Sequence, residues 1–273
     1  MCIQLGDVLK RPDVSKILRV DLATLAVNYE DVPEKYALLG GRGLASVLIA
    51  DEACPVCSPL GSIGKIVIAP GMASGIPSAG SDRLSVGTGS PFGGGVESFR
   101  AGGTCSRKLS HLGIKAVVIQ GVSRHQVPFL LKISRKGVDL IPTLDLAGKS
   151  AYQTCAALWA RYGEVGIISI AQEGERLVAS AGISTNRYRD RPVCYRGGGG
   201  LGAVLGSKGL RAIVVDDARV RNFESNHPLS FRPGASQLGH VLDTRSLTSW
   251  TPSRRAADQV NAVSGRRFQY GEA

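Results

Sequence analysis

Glycine limits how long a helix or strand of this chain can run, because it recurs throughout and concentrates in two stretches, 70–103 and 196–209. The chain has 35 glycines among 273 residues, nearly twice the average share of about 7%. Glycine is favoured where the backbone turns tightly or approaches another group closely. The apolar runs between the glycines are short and rich in β-branched residues, which is typical of strands. We therefore expect short strands joined by tight turns.

The order of the predicted elements favours an α+β fold. Strand-length apolar runs occur at 16–21, 65–70, 83–88, 115–120, 128–134, 166–171, 177–183 and 210–216. Helices are predicted over 43–52 and over 150–162, where apolar residues repeat at helical spacing. Strands outnumber helices and do not alternate with them regularly, so we expect mixed β-sheets with a few helices rather than a doubly wound parallel sheet.

Composition divides the chain into three segments. Residues 16–217 carry the predicted strands and helices and follow a short N-terminal extension, 1–15. From residue 218 the sequence loses its periodicity and becomes rich in arginine, serine and proline, so 218–273 is predicted to be a loosely ordered tail.

Features of the sequence as a whole favour a cytoplasmic location. The first residues lack the basic start and apolar core of a secretory signal. The six cysteines are spread over the chain, which suits reduced thiols better than a disulfide scaffold. No apolar run has the roughly 18–20 residues that span a bilayer, so a transmembrane protein is ruled out and no membrane partner is expected.

The charge of the chain favours anionic ligands. The chain has 33 basic and 22 acidic residues, for a net charge of +11, which suits nucleic acid, acidic lipid or a phosphorylated cofactor. Aromatic residues make up 5% of the chain, so base stacking would have few platforms and nucleic acid is disfavoured. Binding of a polyanion through the arginine-rich tail stays open as a non-enzymatic alternative.

The densest functional signal is the run RGGGGLGAVLGSK, from Arg196 to Lys208. Backbone N–H groups of the four glycines can cradle phosphate oxygens, with Arg196 and Lys208 supplying positive charge at either end. The run satisfies G-x-G-x-x-G formally, but no predicted strand precedes it, as a dinucleotide-binding fold requires. A glycine-rich turn that serves only tight packing is the other interpretation.

Two arginines, Arg83 and Arg100, lie in the other glycine-rich stretch. A guanidinium can bind phosphate through two parallel hydrogen bonds, so the pair could grip two phosphates from different sides. For each arginine taken alone, the alternative is an ordinary surface position.

Other motifs are incomplete. The run from Gly148 to Ser150 resembles the end of a P-loop, but Thr143 stands where that motif needs its earlier glycine. Cys54 and Cys57 have the spacing of a metal knuckle, but no second pair completes four ligands, so two unpaired thiols are expected. The four histidines have no nucleophile partner recognisable from spacing, and each is expected to be a surface or capping residue. No catalytic residue is assigned.

Taken in order, a series of sequence pieces resembles the N-terminal domain of the aldehyde ferredoxin oxidoreductase family. Members of this family are tungsten or molybdenum enzymes with a bis-pterin cofactor. The pieces are ILRVDL (17–22), LLGGRGLAS (38–46), IAPGM (68–72), SAGSDRLSVGTGSP (78–91), AGG (101–103), LGIKAVVIQG (112–121), AQEGERLV (171–178) and RGGGGLGAVLGSKGLRAIVV (196–215). The last piece is far more specific than a bare glycine motif. The resemblance implies that 16–217 is a base of mixed sheets that binds the pterin phosphates and a bridging magnesium ion.

The resemblance also implies cofactor-binding residues in the first glycine-rich stretch. Arg83 corresponds to the family's pterin-contacting arginine. Arg100 and Gly102 correspond to its Asn-x-Gly stretch. A magnesium contact through a backbone carbonyl there would survive the change to arginine, whereas a side-chain contact would not.

The second loop departs from the family pattern. The family's approach to it, Arg-Ala-Ala-Gly-Arg, corresponds to Cys194, Tyr195, Arg196, Gly197 and Gly198. Both family arginines are therefore replaced, by Cys194 and Gly198, and Arg196 stands between them. These five residues are candidate cofactor contacts by position, and Arg196 could substitute for either arginine.

In this family an aldehyde is oxidised to a carboxylic acid at the metal, and the electrons pass through a [4Fe–4S] cluster to ferredoxin. The family's CxxCxxxC motif, which supplies cluster ligands, does not occur in these 273 residues. The expectation is therefore a truncated or split oxidoreductase that needs a partner chain for the missing ligands.

Overall fold

Two mixed β-sheets form the framework of this chain in a computed structural model that describes residues 16–52, 54, 57–76, 81–93, 95–125, 127–186, 195–197 and 199–218. The first sheet has the order β2-β1-β6-β3-β4-β5. Its strands are β1 (Lys16–Asp21), β2 (Ala26–Asp31), β3 (Ile66–Pro70), β4 (Arg83–Gly89), β5 (Val96–Gly102) and β6 (Ile114–Gln120). Only β1 and β6 pair in parallel among these described strands.

The second sheet has the order β11-β10-β9-β12-β7-β8. Its strands are β7 (Phe129–Ser134), β8 (Gly137–Pro142), β9 (Gly166–Ile170), β10 (Ile183–Thr185), β11 (Tyr195–Gly197) and β12 (Leu210–Asp216). Strands β7 and β12 are parallel neighbours, and the other pairings of this sheet are antiparallel. The described helices are α1 (Gly41–Glu52), α2 (Thr104–His111), α3 (Ala151–Tyr162), α4 (Gln172–Glu175) and α5 (Leu201–Ser207).

Side-chain alternation along the strands divides the core into three layers. Ile66 and Ile68 of β3 lie in the main core with Ile168 and Ile213 of the second sheet and with apolar residues of α2 and α5. The alternate residue Val67 faces the other way, into a cluster with α1, and α3 covers the outer face of the second sheet in the same manner. Both faces of each sheet are therefore buried centrally, which explains the continuous apolar character of the central strands.

The α+β fold with mixed sheets is the one predicted from the sequence. One predicted strand, 177–183, is wrong. Only its last residue, Ile183, belongs to a strand, and Leu177 has a left-handed backbone with φ of 54°. The predicted extension, 1–15, lies outside the described residues, as does the predicted tail, 218–273, apart from residue 218. No helix in the described ranges is long and apolar enough to cross a membrane.

Candidate functional site

Strands β4 and β5 place the two predicted arginines on one face of the first sheet. Arg83 is directly opposite Gly102 in the antiparallel register, and Ser85 is opposite Arg100. Because side chains alternate along a strand, these four residues share a face, with Arg83 and Arg100 as diagonal neighbours about 7–8 Å apart. Leu84, between the two β4 residues, points into the main core instead.

Both guanidinium groups are available to a ligand. The side chains of Arg83 and Arg100 are exposed, and among the described residues neither forms an ion pair or a side-chain hydrogen bond. A Cβ atom built on Gly102 would meet nothing within 4 Å. The surface beside the two arginines is therefore open at Gly102, where a ligand can approach the backbone.

The end of β5 is also hydrogen-bonded to the second sheet. The carbonyl of Gly102 accepts a hydrogen bond from Thr185 Oγ1 of β10, at 3.4 Å. A Cβ on Gly103 would lie 2.4 Å from the carbonyl oxygen of Asn186, and the φ of Gly103 is +138°, so only glycine fits this junction without strain. Neighbouring Asn186 is fully buried, and its side chain bonds Thr104 at the start of α2 and the backbone of Ile167.

Part of the second predicted loop lies at the same junction. Thr185 pairs with Tyr195 across the β10–β11 ladder, Ser184 with Arg196 and Ile183 with Gly197. The backbone of 195–197 is thus one strand away from the hydrogen bond that joins Thr185 to Gly102. The structure therefore brings together Arg83, Arg100, Gly102 and the backbone of 195–197, whereas the candidates Cys194 and Gly198 lie outside the described residues.

The later glycines of the run serve packing. A Cβ on Gly202 would lie 2.2 Å from the carbonyl oxygen of Gly182, and one on Gly206 would lie 2.1 Å from that of Gly174. Gly200 is equally crowded by Pro91, at 2.3 Å. A Cβ built on Gly199 would lie 3.1 Å from the Glu97 carboxylate, and this negative charge would repel a phosphate. The packing interpretation therefore holds for this part of the run. The prediction that no strand precedes it is wrong, because β11 does, but β11 is antiparallel to its neighbour, unlike the strand of a dinucleotide-binding unit.

Lys208 does not supply charge to a phosphate site, so that prediction is wrong. Its side chain is fully buried, and Nζ donates to the carbonyl oxygens of Pro59, at 3.2 Å, and of Gly61. Burial lowers the pKa of Lys208 to about 8. The ammonium instead ties the end of α5 to the loop before β3.

Sequence reasoning also missed a buried charge cluster at the end of β12. The carboxylate of Asp217 bonds Lys108 and His111 of α2, with 2.7 Å between its Oδ2 and His111 Nδ1. Burial alone would raise the pKa of Asp217, but the hydrogen bonds from His111 and Lys108 outweigh it and lower the pKa to about 2. His111 is therefore a buried partner rather than a surface or capping residue. No spacing signal links Asp217 to residues more than 100 positions earlier.

The cysteines also differ from the prediction. Cys54 and Cys57 form a disulfide rather than two free thiols. Cys105 and Cys155 are buried thiols, and burial raises the pKa of Cys105 to about 12, so it is not a reactive thiolate at neutral pH. Within the described residues no group of three or more His, Cys, Asp or Glu side chains could hold a metal ion.

Fold and site together define a two-sheet α+β module with an open, arginine-bearing edge. A family model, the N-terminal domain of aldehyde ferredoxin oxidoreductase, matches residues 17–217. This chain therefore belongs to the aldehyde ferredoxin oxidoreductase family through that N-terminal domain, as the sequence pieces predicted.

Individual relatives agree with the family assignment. The chain is 35% identical over 208 residues to a tungsten-containing aldehyde ferredoxin oxidoreductase of Thermococcus kodakarensis, and the match covers 75% of this chain and 33% of that protein. The enzyme of the same name from Pyrococcus furiosus is 32% identical over 208 residues, with the same coverage. This chain thus spans about a third of the length of the curated relatives that it matches.

A solved structure shares the fold. The active site complex BamBC of benzoyl coenzyme A reductase, in complex with 1,5-dienoyl-CoA, matches with a TM-score of 0.67 and 26% sequence identity. The match covers 74% of this chain and 30% of that one.

Proposed function

We propose that this chain is the cofactor-binding base of an aldehyde ferredoxin oxidoreductase-type enzyme, and that it holds the phosphate ends of a tungstopterin or molybdopterin cofactor. The observation that carries the proposal is the exposed pair Arg83 and Arg100 beside the open backbone at Gly102. The curated relatives named above are tungsten-containing enzymes, which supports tungsten as the metal.

The residues present fit a phosphate-bearing group. Arg83 and Arg100 present planar, permanently charged donors, and charge-assisted bonds from such donors to phosphate are among the stronger hydrogen bonds in proteins. The open side of Gly102 lets a ligand reach the backbone. We assign to Arg83, Arg100, Gly102 and the 195–197 backbone the binding and orientation of the phosphates, with Cys194 and Gly198 as candidate contacts by position.

A magnesium ion fits less well. A guanidinium has five N–H donors and no acceptor, so the Arg100 side chain cannot ligate a metal. A contact would have to use a backbone carbonyl, such as that of Gly102, which would share its second lone pair while it accepts a hydrogen bond from Thr185 at 3.4 Å. In this proposal Arg100 supplies positive charge itself, and no step uses magnesium.

The redox chemistry is proposed for the assembled enzyme. When bound, the cofactor would accept the two electrons that are released, with three protons, as an aldehyde and water give a carboxylate. A [4Fe–4S] cluster would carry these electrons to ferredoxin, and its ligands would come from outside residues 17–217, for example from a partner chain. We propose that this assembly works in the cytoplasm. The part of the reaction that falls to this chain is to bind and orient the cofactor.

Cofactor content tests the proposal. The chain is purified from a host that makes pterin cofactors and is supplied with tungstate or molybdate, alone and together with a chain bearing the CxxCxxxC motif. Pterin is assayed by fluorescence after oxidation, and the metals by mass spectrometry. We expect pterin and metal in at least one preparation, with both lost in Arg83→Met.

Arg124→Met is the matched control. Arg124 is also exposed, and it follows β6 at the end of the sheet opposite to Arg83, since β4 and β6 are both antiparallel to β3. It should keep the wild-type cofactor content. Absence of pterin from every preparation, or equal loss in both variants, contradicts the proposal.

A further inference from the structure

The peptide group of Arg83 is held far more firmly than its side chain. Its carbonyl oxygen accepts hydrogen bonds from the amide of Gly71, at 2.7 Å, and from Ser106 Oγ, at 2.7 Å. Ser74 Oγ lies 3.3 Å from the same oxygen. The guanidinium, in contrast, is exposed and has no partner among the described residues.

The two serines act as a pair, although they come from different elements. Ser74 lies in the turn after β3 and Ser106 in the first turn of α2, and both are fully buried. Their Oγ atoms are 2.6 Å apart. A hydroxyl donates only one proton, so if Ser106 donates to the Arg83 carbonyl, the bond between the serines uses the proton of Ser74. In that arrangement a relay runs from Ser74 through Ser106 to the Arg83 carbonyl, and the Ser74 proton is not given to the Ser81 carbonyl oxygen, which lies 3.2 Å from Ser74 Oγ.

The serines add donors to a carbonyl that already has a partner. The Gly71 amide donates to the Arg83 carbonyl, and a carbonyl oxygen has two lone pairs, so a second donor can join the first. What the additional donors do is restrict rotation of the peptide at the root of an otherwise free, charged side chain.

We propose that Ser74 and Ser106 are positioning residues for Arg83, because they fix the backbone position from which its side chain reaches the bound phosphate. Holding this backbone in one conformation before the ligand arrives reduces the conformational entropy that binding must overcome. The inference rests on the proposed function, because it concerns the same phosphate site.

The test uses the 273-residue chain with inorganic pyrophosphate as the probe and isothermal titration calorimetry as the measurement. We expect Ser106→Ala to weaken binding by up to about fivefold, because the hydrogen bond that it removes lies within the protein and its net worth corresponds to about that factor. Ser74→Ala removes the relay but keeps the direct bond from Ser106, so its loss should be smaller. Ser110→Ala, in the same helix and also buried, should bind like the wild type. Thermal unfolding of each variant checks that it is folded.

A double-mutant cycle separates positioning from a general structural effect. If Ser106 acts through Arg83, Ser106→Ala should change nothing further in an Arg83→Met background. The inference is overturned if Ser106→Ala weakens pyrophosphate binding equally in the wild-type and Arg83→Met backgrounds. It is also overturned if both serine variants bind pyrophosphate like the wild type while Arg83→Met binds it weakly. If Arg83→Met itself binds pyrophosphate like the wild type, the proposed function fails as well. Should Ser106→Ala not fold, Ser74→Ala carries the same cycle.

Discussion

The buried carboxylate of Asp217 gives a quantitative test of how this fold is held together. It joins the end of β12 to Lys108 and His111 of α2, and the side chain of Asp217 is 14% exposed. Replacing it by asparagine keeps its shape but removes its charge. The buried ammonium of Lys108 then lacks its anionic partner.

The size of the effect follows from the pKa of Asp217, which folding lowers from 3.8 to about 2. At about 1.4 kcal/mol per unit, this shift corresponds to about 2 kcal/mol of stability at neutral pH. Because the folded value lies below the unfolded one, the contribution is present above pH 3.8 and is lost as the pH falls towards 2. Loss of one partner of a buried ion pair can cost about 3–5 kcal/mol, so Asp217→Asn should cost at least about 2 kcal/mol.

Urea unfolding followed by circular dichroism, between pH 7 and pH 2.5, measures the effect. The difference between wild type and Asp217→Asn should be largest at pH 7 and should shrink below pH 4. Asp145→Asn is the control, because its ion pair with Arg161 is exposed, at 51% and 40%, and should contribute about 1 kcal/mol or less. Equal stability of wild type and Asp217→Asn at pH 7, or a difference that does not change with pH, would refute this reasoning.

Two further predictions concern buried groups near α5 and a glycine of α1. Burial lowers the pKa of Lys208 to about 8, below its unfolded value, so the charged form of Lys208 opposes folding. The stability of the wild type relative to Lys208→Met should therefore rise as the pH increases from 8 to 10. A stability difference in urea unfolding that is the same at both pH values would contradict this. Gly206→Ala places a Cβ 2.1 Å from a backbone oxygen and should cost about 1–3 kcal/mol of stability. The Cβ of Gly43→Ala in α1 meets nothing within 4 Å, so this variant should be more stable than the wild type by about 0.5–1 kcal/mol. If thermal unfolding ranks the two variants in the opposite order, the packing at α5 is loose.

The central strands were predictable because their sequence is apolar on both faces. The edge strands were not: β2 reads AVNYED and β5 reads VESFRAG, since one side of each meets solvent. Helix α2, TCSRKLSH, was missed for a different reason. Its buried Ser106 and Lys108 are polar and find their partners only in the folded chain.

The site was predicted in part, for a related reason. The sequence identified the arginines and the family, but a charged residue in a sequence does not reveal whether its side chain is buried. Lys208 therefore looked like a phosphate ligand and is a buried structural residue. Similarly, packing and phosphate binding both select glycine, and only the contacts of Gly202 and Gly206 separate the two uses.

The central claim is that phosphate binds at the guanidinium pair of β4 and β5. The direct measurement is nuclear magnetic resonance of the arginine Nε–Hε groups during a titration with pyrophosphate. We expect the signals of Arg83 and Arg100 to shift together and to saturate with a single affinity, while that of Arg124 stays in place. Shifts confined to arginines after residue 218, with Arg83 and Arg100 unmoved, would contradict it.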